Sequence, residues 1–174
     1  VMPCIFAFVE GGVLLAEPPT LWYCQDTDGD LRCDTRTPVG TYGVAGNPQH
    51  TANGLRRGLD NWLHSADWNQ RHRFRDGDLL VETVLPRGQY GVSFDELGRF
   101  FTCRESVAAI ADYLPEEYLR RNPHLEALYR QSGNRERFGV QVHIARDAQE
   151  VYPIRPTPQI TLGGLELRDD GTLR

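Results

Sequence analysis

Short apolar runs alternate with turn-forming residues along the N-terminal part of the chain. The runs are Ile5 to Phe8, Val13 to Ala16, Leu21 to Cys24 and Leu31 to Thr37. Paired glycines, paired prolines and an aspartate-rich segment separate them, and these residue types favour tight turns. The pattern predicts an antiparallel meander of four short strands.

A similar pattern returns further along the chain. Turns that contain glycine, asparagine or an acidic residue open short apolar strands at the equivalent positions Gly12, Asn61 and Gly98, and a partial further copy begins near Leu165. Four short strands that recur every 40–50 residues or so are typical of β-propeller blades. The sequence therefore predicts an all-β fold, a partial β-propeller domain of about three to four blades over residues 1–174. Since so few blades do not close a ring, we expect the remaining blades to be supplied from outside this chain.

One segment, from about residue 115 to 133, departs from the β pattern. Pro115 followed by two glutamates is typical of the first turn of a helix, where acidic side chains face the positive end of the helix dipole. We expect a helical insertion with one apolar face formed by Leu114, Tyr118, Leu125, Leu128 and Tyr129. The segment from 135 to 158 is polar and is expected to be mostly loop.

Composition and charge exclude some functions. The 19 basic and 24 acidic residues give a net charge of −5, which weighs against broad nucleic-acid binding. No apolar run approaches the length of a membrane span. The four cysteines form no Cys-x-x-Cys motif. Cys24 and Cys33 flank the aspartate-rich turn, so they are either a disulfide across a hairpin or two free thiols.

The aspartate-rich turn is a candidate metal site. Asp26, Asp28, Asp30 and Asp34 occupy positions 1, 3, 5 and 9 of a calcium-loop pattern. Two later positions depart from that pattern, because Leu31 and Thr37 stand where glycine and glutamate are usual. The alternative is a solvated hairpin turn, which aspartate and glycine also favour.

A second candidate site lies in the polar stretch from 47 to 62. His50 has the amides Gln49 and Asn53 close by, and a loop histidine can act as a general base. Arg57 and Asp60 follow and are candidates for orienting a substrate or cofactor. The alternative is an ordinary turn with a surface histidine.

Gln89 and Tyr90 occupy the matching place in the next copy of the repeat. Equivalent loops of successive blades converge on one face of a propeller, so we expect both residues to share a central site with His50. His64 and His72 have no third metal ligand nearby, and we expect both to lie in strands.

Four separated segments, 16–30, 49–62, 89–99 and 114–123, together carry a family resemblance. In order, they include Glu-Pro-Pro-Thr-Leu-Trp before the aspartate turn, Gln-His-x-x-Asn-Gly-Leu, Gln-Tyr-Gly-x-x-Phe-Asp and Leu-Pro-x-x-Tyr-Leu. They resemble the propeller domain of membrane-bound dehydrogenases that are often fused to a haem-c domain. That family is similar to sugar dehydrogenases that use pyrroloquinoline quinone and calcium on a six-bladed propeller.

The resemblance implies an extracytoplasmic or periplasmic enzyme that oxidises a sugar or alcohol and has a c-type cytochrome domain as electron acceptor. It implies that His50 is the base and that Arg57 and Asp60 orient the substrate. The implied cofactor-binding residues are Gln49, Asn53, Gln89 and Tyr90. The implied calcium ligands are Asp26, Asp28, Asp30 and Asp34. The sequence departs from the family after Cys103, where charged and apolar residues replace asparagine and histidine. The alternative is therefore a non-catalytic propeller that binds carbohydrate or protein.

Overall fold

The computed structural model describes residues 5–43, 50–104, 107–112, 114–130 and 139–141. All of these belong to one compact unit, Val1–His143. The unit contains three antiparallel sheets, each of four strands joined in chain order. Sheet 1 consists of β1 (Ile5–Val9), β2 (Gly12–Glu17), β3 (Thr20–Gln25) and β4 (Thr35–Thr41).

The other two sheets repeat this meander. Sheet 2 consists of β5 (Asn53–Arg57), β6 (Leu63–Ala66), β7 (Gln70–Arg75) and β8 (Asp78–Thr83). Sheet 3 consists of β9 (Tyr90–Phe94), β10 (Phe100–Arg104), β11 (Val107–Asp112) and β12 (Gly139–Gln141). The predicted all-β, propeller-like fold is confirmed, while the further copy near Leu165 lies outside the described residues.

The fourth strand begins later than predicted. β4 starts at Thr35 rather than Leu31, and Leu31 is 94% exposed with a positive φ of 67°. Aspartate side chains bind the backbone amides of this segment, and such local bonds compete with strand pairing. The amide of Asp34 donates to the carbonyl of Gln25 at 2.9 Å and closes the loop that precedes β4.

The first strands of the three sheets lie side by side, with β5 against β1 and β9 against β5. At their C-terminal ends, the Arg57 guanidinium donates to the carbonyl of Phe8 at 3.2 Å. At their N-terminal ends, Asn53 donates to the carbonyl of Gln89 at 2.9 Å and accepts from the amide of Gly91 at 2.9 Å. We call the side where β5 and β9 begin the start edge, and the side where β1, β5 and β9 end the end edge.

The main core lies where sheets 1 and 2 face each other. It contains the fully or almost fully buried side chains of Leu14, Leu21, Tyr42, Leu55, Leu63 and Phe74. Each such aliphatic side chain contributes about 1.5–3 kcal/mol when it is removed from water. Tyr42 also shares a 2.7 Å hydrogen bond with Ser65, which satisfies a buried hydroxyl pair. This core supports β5, from which both edges take polar side chains.

The helical insertion forms two short helices, α1 (Glu116–Arg121) and α2 (Pro123–Arg130). Leu119, Leu125 and Tyr129 pack with Leu85, which precedes sheet 3. The predicted apolar face is wrong in part, because Leu114, Tyr118 and Leu128 are 41%, 53% and 44% exposed. The reason is the extended backbone of Asn122, which separates the helices and breaks their common face.

Two polar contacts dock the helices on the sheets. Glu116 accepts a 2.9 Å hydrogen bond from the amide of Leu85, and the Tyr129 hydroxyl donates to the carbonyl of Pro86 at 2.7 Å. Neither helix in the described part of the chain is long and apolar enough to cross a membrane.

Candidate functional site

The start edge brings together four of the residues singled out from the sequence, His50, Asn53, Gln89 and Tyr90. The Nδ1 atom of His50 lies 3.0 Å from Nε2 of Gln89, and the same Nε2 lies 3.1 Å from the Tyr90 hydroxyl. Asn53 ties the group together through its two bonds to the backbone around Gln89. His50 and Asn53 lie where sheet 2 begins, and Gln89 and Tyr90 lie where sheet 3 begins, 36 to 40 positions further along the chain, as the repeat predicted.

The backbone around Gln89 is fixed by close packing. The amide of Gln89 donates to the carbonyl of Cys103 at 3.0 Å, and only 7% of the residue is exposed. Gly88 has a φ of 58°, and a Cβ there would lie 2.3 Å from the Thr102 side chain. Only glycine fits such a position without strain. The carboxamide of Gln89 is therefore held in place against His50.

The tautomer of the neutral His50 ring depends on the orientation of that carboxamide. With Nε2 of Gln89 donating to Nδ1, the neutral imidazole carries its proton on Nε2 and can donate it to a bound oxygen. If the carboxamide turns by half a revolution, its oxygen accepts from Nδ1–H, and Nε2 of His50 becomes a proton acceptor. His50 is exposed, and its Nε2 atom has no hydrogen-bond partner among the described residues. The histidine can therefore reach a ligand from solvent.

Two of the predicted orienting residues lie elsewhere. Arg57 and Asp60 are at the end edge, and β5 separates them from His50. A five-residue strand spans about 13 Å, so Asp60 and His50 do not contact one ligand atom together. Gln49 lies outside the described residues.

The end edge has a charged cleft of about 290 Å³ between sheets 2 and 3. At its base, Nε2 of His64 is 3.0 and 3.1 Å from the two carboxylate oxygens of Asp60. Nδ1 of His64 is 3.4 Å from the Arg87 guanidinium, which also pairs with Asp112 and lies 3.7 Å over the Phe100 ring. Gly58 leaves room for the pair, since a Cβ there would be 2.8 Å from Asp60.

Each charged or titratable group of the network at the end edge has a partner of opposite charge or a hydrogen bond. Burial alone raises the pKa of Asp60, but hydrogen bonds from His64 and the Trp62 amide and the charge of Arg71 together lower it. Burial raises the pKa of Asp112 despite the opposing charge of Arg87. Both ring nitrogens of His64 are occupied, so this histidine has no free nitrogen for a substrate. We conclude that the network organises the cleft and joins two sheets.

Further ion pairs connect this cleft to the helices. Arg71 bridges Asp60 at 3.1 Å and Glu82 at 2.8 Å, and Arg120 of α1 reaches Glu82 at 3.3 Å. Burial raises the pKa of Glu82, but the bonds and charges of the two arginines outweigh burial and lower it. Arg71 and Arg73 also lie over the Trp62 ring, 4.8 and 4.4 Å from its centroid.

The acidic loop, residues 26–34, gathers three of the four predicted metal ligands. Oxygen atoms of Asp26, Asp28 and Asp34 all lie within 4.8 Å of one another. Asp30 accepts from the amide of Arg32 at 2.9 Å and lies 3.7 Å from its guanidinium, and it is not one of the three.

Backbone amides keep the two outer carboxylates ionised. Asp26 accepts from the amides of Leu31 and Gly29, at 2.9 and 2.6 Å, and these bonds lower its pKa. Bonds from the amide and hydroxyl of Thr27 lower the pKa of Asp34 in the same way. The loop follows β3 and lies beside the C-terminal end of β1, so it belongs to the end edge. A cation bound by these carboxylates would be remote from His50.

The three cysteines in the described residues, Cys24, Cys33 and Cys103, are free thiols. Burial, followed by a side-chain hydrogen bond with Cys33, raises the pKa of the Cys24 thiol. Cys33 is exposed and donates to the carbonyl of Thr35 at 3.1 Å. Both thiols line one groove at the base of the acidic loop.

His72 lies in β7, as expected, and has no metal-binding partner. It is completely buried, neither ring nitrogen has a hydrogen-bond partner among the described residues, and burial lowers its pKa to about 4. It is a neutral core residue at physiological pH.

Sequence reasoning missed the network of His64, Arg87 and Asp112. The Asp60–His64 spacing across a turn is a weak local signal, but Arg87 and Asp112 arrive from 23 and 48 positions beyond His64. Only the packing of sheet 2 against sheet 3 brings them together.

Searches of curated proteins and of solved structures found no match to the chain. A family model matches residues 1–168, nearly the whole chain. The protein therefore belongs to this family, which is described as a domain of unknown function and designated DUF7133.

Proposed function

We propose that the protein contributes to an extracytoplasmic, quinone-dependent dehydrogenase of sugars or alcohols, with His50 at the reaction centre. The observation that carries this proposal is the convergence of His50, Asn53, Gln89 and Tyr90 at the start edge. The family description names no activity, so the support comes from this geometry and from the sequence resemblance. The remaining blades and a c-type cytochrome domain are the proposed partners.

The side chains of the start edge suit an oxygen-rich ligand. An imidazole, two carboxamides and a phenol offer both donors and acceptors to hydroxyl and carbonyl oxygens. These residues fit the polar edge of pyrroloquinoline quinone or of a sugar. The quinone, when bound, would supply the two-electron acceptor of the reaction.

The role of His50 is to take the hydroxyl proton of the substrate. Gln89 selects the imidazole tautomer and orients the ring, while Tyr90 and Asn53 fix the position of Gln89. Calcium, bound by Asp26, Asp28 and Asp34, would stabilise the acidic loop at the other edge. That role is structural, because the loop is remote from His50.

One observation favours a second function, a non-catalytic carbohydrate-binding propeller. With Nε2 of Gln89 directed at Nδ1, His50 offers a donor rather than an acceptor to its ligand. A donor binds a sugar hydroxyl but does not remove its proton. The two functions therefore differ in what His50 does to the same class of ligand.

The test uses the full-length protein reconstituted with pyrroloquinoline quinone and calcium. Quinone binding is measured by calorimetry, and dye-linked oxidation is measured over a panel of sugars and alcohols. We expect quinone binding and oxidation that His50→Asn abolishes and His124→Asn, at an exposed histidine of α2, leaves unchanged. Absence of quinone binding would overturn the enzyme proposal, and sugar binding without quinone binding would support the second function.

Substitutions of Gln89 separate the two roles of His50. Gln89→Glu places a carboxylate against Nδ1 of His50, so that Nδ1 carries the proton and Nε2 of His50 is free to accept one. Gln89→Leu removes the bond that orients the ring. For an enzyme, Gln89→Glu should retain more activity than Gln89→Leu. For a binding protein, both variants should weaken sugar binding and Gln89→Glu should have no advantage.

A further inference from the structure

The base of the acidic loop holds two cysteines that line one groove. Cys24 is in β3 and Cys33 is near the end of the loop, directly before Asp34. The 2.9 Å bond between the amide of Asp34 and the carbonyl of Gln25 closes the loop next to both residues. Both thiols also line the same surface groove, with Leu31 between them in sequence. Their proximity is therefore built into the hairpin.

The pair is accessible and is separate from the third described thiol. Cys33 is exposed, and Cys24 is partly buried. Cys103 lies in sheet 3, where it donates to the carbonyl of Tyr90 at 3.3 Å. An oxidant from solvent therefore meets Cys33 first, and Cys24 is the thiol placed to react next.

We propose that Cys24 and Cys33 form a reversible disulfide that closes the acidic loop into a covalent ring. The Cys33 thiolate attacks a disulfide oxidant, such as oxidised glutathione, and one thiol of the oxidant leaves. The Cys24 thiolate then attacks the mixed disulfide at the Cys33 sulfur and displaces the second thiol. One S–S bond forms within the protein, its two thiol protons pass to the departing thiolates, and the oxidant is reduced to two thiols.

The ring encloses three of the aspartates, Asp26, Asp28 and Asp30, and ends next to Asp34. Closing it restricts the backbone that carries the carboxylates, which reduces the entropy lost when the loop is ordered. The disulfide itself does not depend on the proposed function. The effect on calcium affinity does rest on it, and oxidation should then tighten calcium binding.

The first experiment maps the disulfide in the full-length protein. Reduced and glutathione-oxidised samples are alkylated and then digested with trypsin and a glutamate-specific protease, which cut after Arg32 and Glu10 and so separate Cys4, Cys24 and Cys33. We expect the Cys24 and Cys33 peptides to be joined, with the mass of two hydrogens lost, only after oxidation. Absence of that linkage, or preferential linkage to another cysteine, would overturn the proposal.

The second experiment measures the effect on the folded loop. Oxidation should slow tryptic cleavage of the native protein after Arg32 by about tenfold, because a closed ring resists the local opening that proteolysis requires. Cys33→Ser should abolish the change and Cys103→Ser should preserve it, while circular dichroism verifies that each variant is folded. Equal cleavage of oxidised and reduced wild-type protein would contradict a closed ring.

Calcium titration of the oxidised and reduced forms separates the two proposals. A disulfide that forms without calcium binding to either form would refute the calcium assignment and leave the disulfide standing. Calcium binding without a Cys24–Cys33 linkage would do the reverse.

Discussion

The histidines at the two edges of the sheets differ in exposure and in how many of their ring nitrogens are hydrogen-bonded. At the start edge, His50 is exposed and uses one ring nitrogen in a bond to Gln89. At the end edge, His64 is 6% exposed and both its nitrogens are taken, one by Asp60 and one by Arg87. A carboxylate partner is often taken as a sign of a catalytic histidine, but here the histidine with the carboxylate is the one without a free nitrogen. The comparison shows that His50 has a nitrogen open to a ligand, whereas His64 uses both its nitrogens in the contacts that join the sheets.

The largest expected difference between the edges is in activity. If the proposed function holds, His50→Asn should lower dye-linked oxidation by about 10²–10⁴-fold, the usual contribution of a general base. Thermal stability should not change, because His50 is exposed. Equal losses of activity and stability would show that the start edge is also structural.

Loss of Arg87 should mainly affect stability. Arg87→Met leaves the Asp112 carboxylate largely buried without its partner, and we expect a loss of about 3 kcal/mol in the free energy of unfolding. Urea denaturation measures this change. Arg75→Met is the matched control, because Arg75 and Asp76 form an exposed pair and such pairs contribute about 1 kcal/mol or less. A similar loss in both variants would contradict the structural assignment of the end edge.

His72 provides a third environment for a histidine, because it is buried and neither ring nitrogen has a hydrogen-bond partner among the described residues. Its pKa in the folded state is about 4, below the ordinary value of 6.5, so the unfolded state binds more protons between these values. Stability should therefore fall by about 2–3 kcal/mol as the pH is lowered from 7 to 4.5. His72→Phe should remove this part of the acid sensitivity, as measured by urea midpoints at the two pH values. An unchanged pH dependence would locate the acid-sensitive group elsewhere.

The smallest expected effect concerns the acidic loop. If the acidic loop binds calcium as proposed, Asp34→Asn should weaken that binding by about tenfold, because it removes one of three converging carboxylates. Asp30→Asn is the control, since Asp30 lies outside that group and interacts with Arg32. Calorimetric titration should distinguish the two variants, and equal effects would mean that the loop attracts cations only through its overall charge.

The repeated pattern was sufficient to predict the recurring short strands and the start edge, but it did not predict β12, which lies in the segment from 135 to 158 that was expected to be mostly loop. Equivalent positions in successive copies placed Gln89 and Tyr90 beside His50, although 39 residues separate Gln89 from His50. Local chemistry also indicated the acidic loop, because its alternating aspartates accept hydrogen bonds from backbone amides two to five positions further along the chain. These features depend on residues close in sequence or on the repeat itself.

Other features depend on contacts that no local pattern encodes. Leu31 looks like the start of a strand, but the aspartate bonds hold it in a loop. The separation of Asp60 from His50 follows from the direction of β5, which a list of polar residues does not reveal. The Arg87–Asp112 pair needs the assembled sheets before its partners meet.

The carboxamide of Asn53 has a consequence for how this domain opens. Its oxygen accepts the amide proton of Gly91 in sheet 3, although Asn53 itself belongs to sheet 2. That single proton is therefore protected from exchange with solvent only while the two sheets remain in register. The hydrogen-exchange rate of Gly91 consequently reports the separation of neighbouring sheets, and it can be followed in the intact protein without a covalent label.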